Sequence, residues 1–129
     1  MKTVLWISRH QMTEDQMQDL ERIAGDRLKV QTVDETITDL GTLRPQIEQA
    51  DLIAAVLPPD LMVRLLGLVG DKPLLRSVAE RRPTGQRIAR PDGVEEMQYA
   101  FVHRNWERLL EMRIRTEDLS NTDLYGGSL

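Results

Sequence analysis

Ser8, Arg9 and His10 form the most chemically capable run of the chain, because a hydroxyl, a guanidinium and an imidazole stand side by side. A guanidinium suits bidentate contact with phosphate or carboxylate, and an imidazole can act as an acid or a base near neutral pH. These types predict a site for an anionic ligand, with His10, Arg9 and Ser8 as its candidate catalytic residues. The alternative is a simple turn, with Arg9 paired to Glu14 or Asp15 and His10 on the surface.

The elements on either side of this run give it a position. An apolar strand over 3–7 precedes it, and Thr13 with Gln16 three residues later is typical of the capping box that begins a helix. In open α/β sheets, ligands bind where the carboxyl end of a strand meets a helix N-terminus, and the dipole there favours anions. We therefore expect the loop to face a ligand and also predict Gln11 and Thr13 as ligand-binding residues.

A second candidate set consists of arginines in the C-terminal half. Arg81, Arg82, Arg87 and Arg90 are close in sequence with no acidic residue among them, inside a segment over 81–95 that is rich in Arg, Pro and Gly. This composition predicts an irregular loop. We predict Arg81, Arg82 and Arg87 as further phosphate contacts, and a solvated basic loop is the alternative.

His103 follows another apolar run, over 97–102, and is the second of two histidines. If that strand is parallel to the others, His103 and His10 could converge. If it is antiparallel, we expect His103 at the opposite edge of the sheet from His10. Trp106, close behind, is expected to pack on the sheet rather than to stack on a base.

The order of strand and helix patterns predicts an α/β fold with a Rossmann-like open sheet that is mostly parallel and is extended by a C-terminal strand pair. Loops over 8–12, 58–60 and 80–82 should then meet at one edge of this sheet. We predict one domain over 1–118 and a flexible tail over 119–129. The strands are predicted at 3–7, 28–33, 52–57, 74–79, 97–102 and 109–115, and the helices begin near Thr13, Thr42 and Asp60.

Composition narrows the function classes. The chain has 129 residues, a formal net charge of −4 and no cysteine, which argues against duplex nucleic acid as a partner and excludes disulfides and thiolate metal sites. No apolar run is long enough to span a membrane, and the first run is too short for a secretion signal, so we expect the cytoplasm. Neither a dinucleotide-binding glycine motif nor a P-loop occurs, and the carboxylates lack metal-binding spacing. We therefore expect no cofactor and no metal.

The strand, the run Ser8-Arg9-His10-Gln11-Met12-Thr13 and the Gln-containing helix together resemble the small CRISPR-associated ring nucleases, which are relatives of the Rossmann-like CARF domain. The resemblance covers residues 2–24 and the overall size and element order. It implies a homodimer with a basic two-fold pocket for a cyclic oligoadenylate, which is cleaved without a metal when a ribose 2′-OH attacks the neighbouring phosphate. In that case Ser8, Arg9 and His10 orient the reacting groups and stabilise developing charge.

Three hypotheses remain open from the sequence. The first is a ring-nuclease-like phosphodiesterase, a metal-independent enzyme. The second is a module of the same fold that binds a nucleotide or another small phosphate ligand without cleaving it. The third is an α/β protein whose main role is contact with its own copies or with a partner. The first two predict that Ser8, Arg9 and His10 share one concavity, whereas the third allows them to point into solvent.

Overall fold

A computed structural model describes residues 1–126, which form five strands, three α-helices and one 3-10 helix. Helices and strands alternate until the fourth strand, after which the chain turns back as a hairpin. In chain order the elements are β1 (Lys2–Ile7), α1 (Glu14–Ala24), β2 (Leu28–Val33), the 3-10 helix (Leu40–Leu43), α2 (Arg44–Gln49), β3 (Leu52–Ala55), α3 (Pro59–Val69), β4 (Leu74–Ala89) and β5 (Glu95–Arg108).

The strands form one open sheet in the order β2-β1-β3-β4-β5. β1 pairs in parallel with both β2 and β3, β4 is parallel to β3, and β5 is antiparallel to β4. The prediction of a mostly parallel α/β sheet is therefore confirmed. The direction of strand addition reverses between β1 and β3, and in open α/β sheets such a reversal leaves a crevice at the carboxyl ends of the two strands.

Alternation along the strands divides the core into two layers. Val4 and Trp6 of β1 pack with Leu20 of α1 on one face of the sheet. Leu5 and Ile7 point to the other face, because successive strand residues alternate. The layer on that second face is formed with residues from the 3-10 helix, α2 and α3, among them Leu40, Leu43, Ile47, Met62, Leu65 and Val69.

β4 and β5 extend past the sheet as a two-stranded arm, which we define as residues 80–102. The predicted irregular loop over 81–95 is wrong, because residues 81–89 continue β4 and β5 begins at Glu95. A tight turn closes the arm, with the Arg90 N–H donating to the Val94 carbonyl at 2.8 Å and Gly93 at a φ of 82°. Pro83 lies at a bulge, where the register between β4 and β5 shifts between Pro83 and Arg87.

The segment after β5 also departs from its prediction. Residues 109–115 carry no strand, so the predicted C-terminal strand pair is β4 with β5 instead. Leu109 is buried, and Met112 packs against the core layer that contains α3, which accounts for part of the apolar alternation. The Leu109 N–H donates to the Leu74 carbonyl of β4 at 2.8 Å, and no strand continues beyond it. The predicted tail begins at Leu119 in a stretch without helix or strand, and its last residues, 127–129, lie outside the described part of the chain. Through residue 126, no helix is long and apolar enough to cross a membrane.

Candidate functional site

A cavity of about 350 Å³ opens at the carboxyl ends of β1, β2 and β3. Its position is the crevice where the strand order reverses, which is the usual ligand position in open α/β sheets. The loop after β1 supplies most of its polar groups, and the segments after β2 and β3 supply most of its apolar wall. The lining residues are Ile7, Ser8, Arg9, His10, Val33, Glu35, Thr36, Ile37, Val56, Leu57, Pro58 and Leu61.

Ser8 holds the loop in shape at the floor of this cavity. Its side chain is almost fully buried, and its Oγ accepts a hydrogen bond from the His10 N–H at 3.1 Å. Its own N–H donates to the Val33 carbonyl at 3.1 Å, which continues the β1–β2 pairing by one residue. Ser8 is thus a turn residue, as the simpler interpretation had it, and its hydroxyl hydrogen is still able to donate to a ligand.

Arg9 and His10 are exposed side chains on a fixed main chain. The Trp6 indole N–H donates to the His10 carbonyl at 2.7 Å, so the backbone of the loop is tied to the core. The Arg9 guanidinium donates to the Thr36 hydroxyl, which leaves further N–H groups of its five for a ligand. Glu35 also lines the cavity, so the polar end carries a carboxylate beside the two basic side chains.

Gln11 and Thr13, the other two loop residues predicted to bind ligand, do not line the cavity. Thr13 caps α1: its side chain accepts from the Gln16 N–H at 3.2 Å, and the Gln16 side chain accepts from the Thr13 N–H at 2.9 Å. The amino end of α1 is therefore satisfied by its own residues. The helix whose amino end lies at the cavity is α3, because Pro58, which precedes it, and Leu61, in its first turn, line the cavity.

The predicted arginine contacts do not join this cavity. Arg82 pairs with Glu80 at 3.0 Å, and Arg87 pairs with Glu95 at 3.7 Å. The Arg81 guanidinium lies 3.8 Å from the centre of the Tyr99 ring. The basic run contains no acid because its carboxylate partners, apart from Glu80, lie in the turn or on β5. Arg81, Arg82 and Arg87 thus do not line the cavity beside Ser8, Arg9 and His10, and their role as phosphate contacts stays a prediction.

His103 belongs to a series of hydrogen-bonded side chains that was not predicted from the sequence. Its Nδ1 lies 2.8 Å from the Ser77 Oγ, and its Nε2 lies 2.8 Å from Asp19 Oδ2. The Gln16 amide donates to the same Ser77 hydroxyl at 3.2 Å. One tautomer satisfies every group: Nε2–H donates to Asp19, and the Ser77 hydroxyl donates to Nδ1.

These hydrogen bonds join α1 to the base of the arm. The His103 side chain is only 5 % exposed, and its ring centre lies 5.5 Å from that of Trp106. β5 is antiparallel, as one alternative required, yet His103 pairs with Ala79, beyond the carboxyl ends of the parallel strands. The expectation that an antiparallel strand places His103 at the opposite edge is wrong, because β5 begins far out on the arm.

Asp19 is the ionised residue of this hydrogen-bonded group. The hydrogen bond from His103 lowers the pKa of the Asp19 carboxyl, and a second one from Arg22 lowers it further. The Arg22 Nη2 lies 2.8 Å from Asp19 Oδ1. Both carboxylate oxygens are therefore engaged, and Ser77, His103 and Asp19 form a link within the fold rather than an open site.

Across residues 1–126, no group of three or more His, Asp or Glu side chains is arranged to hold a metal ion. The cavity after β1 is lined by a hydroxyl, a guanidinium and an imidazole, those of Ser8, Arg9 and His10. Comparison with protein families, curated proteins and solved structures finds no match for the chain.

Proposed function

We propose that the protein binds a phosphate-bearing nucleotide in the cavity after β1. The observation that carries this proposal is that Arg9 and His10 line a cavity most of whose other lining residues are apolar. Small-ligand sites combine apolar walls with a few convergent polar groups in this way. A base would pack on the apolar wall, and a phosphate would accept hydrogen bonds from the guanidinium and the imidazole.

The size of the cavity favours one nucleotide unit per chain. A volume of about 350 Å³ lies at the lower end of the range for small-ligand sites. The apolar wall includes Val56, which is 54 % exposed at the end of a buried strand and gains burial when a flat base covers it. Glu35 can accept hydrogen bonds from ribose hydroxyls, so its carboxylate favours a nucleotide over inorganic phosphate.

Metal-independent cleavage of a cyclic oligoadenylate is the second candidate, and the exposed imidazole of His10 at the cavity favours it. On this proposal the fold is Rossmann-like. His10 takes the proton from a ribose 2′-OH, the 2′ oxygen attacks the neighbouring phosphorus, and the bond from phosphorus to the 5′ oxygen breaks. The leaving 5′ oxygen takes a proton, and a 2′,3′-cyclic phosphate remains. Arg9 stabilises the charge on the phosphate oxygens.

Binding is tested by calorimetric titration of the full chain with cyclic tetra- and hexaadenylate, AMP, ADP and inorganic phosphate. We expect a nucleotide to bind, and Arg9→Ala to weaken its affinity roughly tenfold, since a charge-assisted hydrogen bond is lost. The matched control is Arg27→Ala, an exposed arginine just before β2 at the other end of that strand. If no nucleotide binds, or if both variants bind as the wild type does, the proposed site is wrong.

Cleavage is tested by chromatography of cyclic oligoadenylates incubated with the protein in EDTA. We expect linear products ending in a cyclic phosphate, and we expect His10→Ala to lose turnover while nucleotide affinity falls only modestly. Gln11→Ala, at the next residue and outside the cavity lining, is the control. Binding without products from the wild type would leave the chain a binding module.

A further inference from the structure

We propose that Thr36 is a phosphorylation site and that Arg9 binds the resulting phosphate, which then closes the cavity to an anionic ligand. The last step rests on the proposed function, whereas the modification and its contact with Arg9 do not. Thr36 is exposed and lines the cavity, and its hydroxyl accepts a hydrogen bond from the Arg9 guanidinium. An acceptor hydroxyl and a side chain suited to bind phosphate are therefore already in contact.

The segment over 34–38, between β2 and the 3-10 helix, is accessible to a modifying enzyme. It carries no helix or strand, and in the part of the chain that the structure describes no backbone–backbone hydrogen bond fixes it. The bond from Arg9 to Thr36 and the packing of Ile37 against the core hold it in place. Phosphoryl transfer requires the acceptor segment to enter the active site of another enzyme, and a segment with few internal hydrogen bonds opens locally at low cost.

Acidic residues around Thr36 define the class of the modifying enzyme. Asp34 and Glu35 directly precede Thr36, and Asp39 follows it three residues later. A substrate groove lined by basic side chains attracts such a sequence by charge complementarity. The modifying enzyme is thus an acid-directed protein kinase that uses ATP. The Thr36 Oγ1 attacks the γ-phosphorus, the bond from that phosphorus to the oxygen retained by ADP breaks, and the hydroxyl proton passes to the base of the kinase.

The phosphate on Thr36 competes with an anionic ligand for the same basic side chains. Phosphothreonine carries a charge of about −1.5 to −2 at pH 7 and three strong acceptor oxygens. Its neighbours Asp34 and Glu35 repel it, whereas Arg9 donates hydrogen bonds to it and His10 lines the cavity beside Arg9. Through residue 126, no carboxylate is paired with Arg9, so the guanidinium is available to the phosphate. The modified side chain thus takes the hydrogen bonds that a nucleotide phosphate needs, and its charge repels a second anion.

Phosphorylation is tested by incubating the full chain with an acid-directed kinase and ATP and locating the phosphate by mass spectrometry. We expect phosphate on Thr36, and Thr36→Ala should lose most of the incorporation. Thr38→Ala is the matched control and should keep it, because Thr38 is exposed in the same segment but does not line the cavity. Incorporation that Thr36→Ala leaves unchanged would overturn the proposal, as would a chain that takes up no phosphate.

The contact with Arg9 is tested on chains that carry phosphothreonine at position 36 or at position 38. The second pKa of the phosphate is ordinarily about 6. At position 36 we expect this pKa to be lower with Arg9 present than in Arg9→Ala, because the guanidinium favours the dianion. At position 38, Arg9→Ala should leave the pKa unchanged. A pH titration followed by phosphorus NMR measures these values, and equal values at position 36 with and without Arg9 would overturn the proposal.

The effect on the cavity is tested by calorimetric titration of the same chains with AMP and cyclic tetraadenylate. Phosphate at position 36 should weaken nucleotide affinity roughly tenfold or more, since it engages Arg9 and adds negative charge. Phosphate at position 38 should leave the affinity close to that of the unmodified chain. Equal affinities for all three chains would overturn the competition. If the unmodified chain binds no nucleotide, the proposed function is wrong, and the phosphorus titration still decides whether Arg9 binds the phosphate.

Discussion

The two histidines of the chain lie beyond the carboxyl ends of the same sheet, yet their surroundings are opposite. His10 is exposed beside a cavity, and only its main chain is held, by Trp6 and Ser8. His103 is almost completely buried, and both of its ring nitrogens are engaged, by Ser77 and Asp19. The first imidazole is therefore available to a ligand, whereas the second is part of the structure that supports the arm.

The contrast shows that residue types alone do not identify a reactive site. Ser77, His103 and Asp19 are the residue types that serve as nucleophile, base and orienting acid in a catalytic triad. Here, however, both carboxylate oxygens of Asp19 are engaged and the His103 imidazole is buried. Through residue 126, no carboxylate is hydrogen-bonded to the side chains of Ser8, Arg9 or His10, and these residues line an open cavity. Access, rather than the list of side chains, separates the two histidines.

His103→Ala should produce the largest loss of stability. The substitution leaves the Ser77 hydroxyl and the Asp19 carboxylate without their partner and removes a ring packed on Trp106. We expect the free energy of unfolding to fall by about 2–3 kcal/mol. Urea denaturation followed by circular dichroism measures this change. A loss below about 0.5 kcal/mol would show that the hydrogen-bonded chain contributes little to the fold.

Asp19→Asn should have a smaller effect that depends on pH. At pH 7 we expect a loss of about 1 kcal/mol, because an amide can still accept from His103 but carries no charge. The pKa of Asp19 is lowered in the folded state from its ordinary value of 3.8. Its contribution is therefore complete above about pH 4 and is lost as the pH falls through the lower folded-state value. Denaturation at pH 7 and at pH 3 should show the difference between wild type and variant shrinking on acidification. A constant difference would contradict the assignment.

His10→Ala should have the smallest effect on stability. Its imidazole is exposed, and the hydrogen bonds that fix the loop use its main chain, which the variant keeps. We expect a change within about 0.5 kcal/mol in the same denaturation experiment. This variant is also the matched control for His103→Ala, since the two substitutions are chemically identical. Equal losses from both would abolish the distinction between the two histidines.

The parallel part of the fold was predictable because its signals are local. The continuous apolar run from Leu52 gave a buried central strand, although β3 ends at Ala55 rather than at 57. Thr13 and Gln16 marked the start of α1 correctly. The β4 strand of the arm was missed because residues 81–89 are exposed and show no burial pattern, whereas part of β5 was predicted over 97–102. The alternation over 109–115 misled because Leu109 and Met112 pack against the core layer that contains α3, although no strand runs through these residues.

The candidate site, too, was predictable where its signals are local and was not predictable where they depend on distant residues. The position of Ser8, Arg9 and His10 followed from the strand before them, and the structure places all three at one cavity. Gln16 and Asp19 stand three residues apart on α1, which was a sign of a polar contact on that face. Their partners on β4 and β5 are 61 and 84 residues away in sequence. Pairings at that separation depend on the length of the arm, which the composition of residues 81–95 concealed.

The chain carries two tryptophans, and they touch: the ring centres of Trp6 and Trp106 lie 5.9 Å apart in an edge-to-face arrangement. Intrinsic fluorescence therefore reports on one place, the layer beneath α1, and not on an average over the molecule. The Trp6 indole is also bonded to the loop that carries His10. Emission from this pair is thus an internal optical reporter, with no added label, for any event in the cavity that shifts that loop.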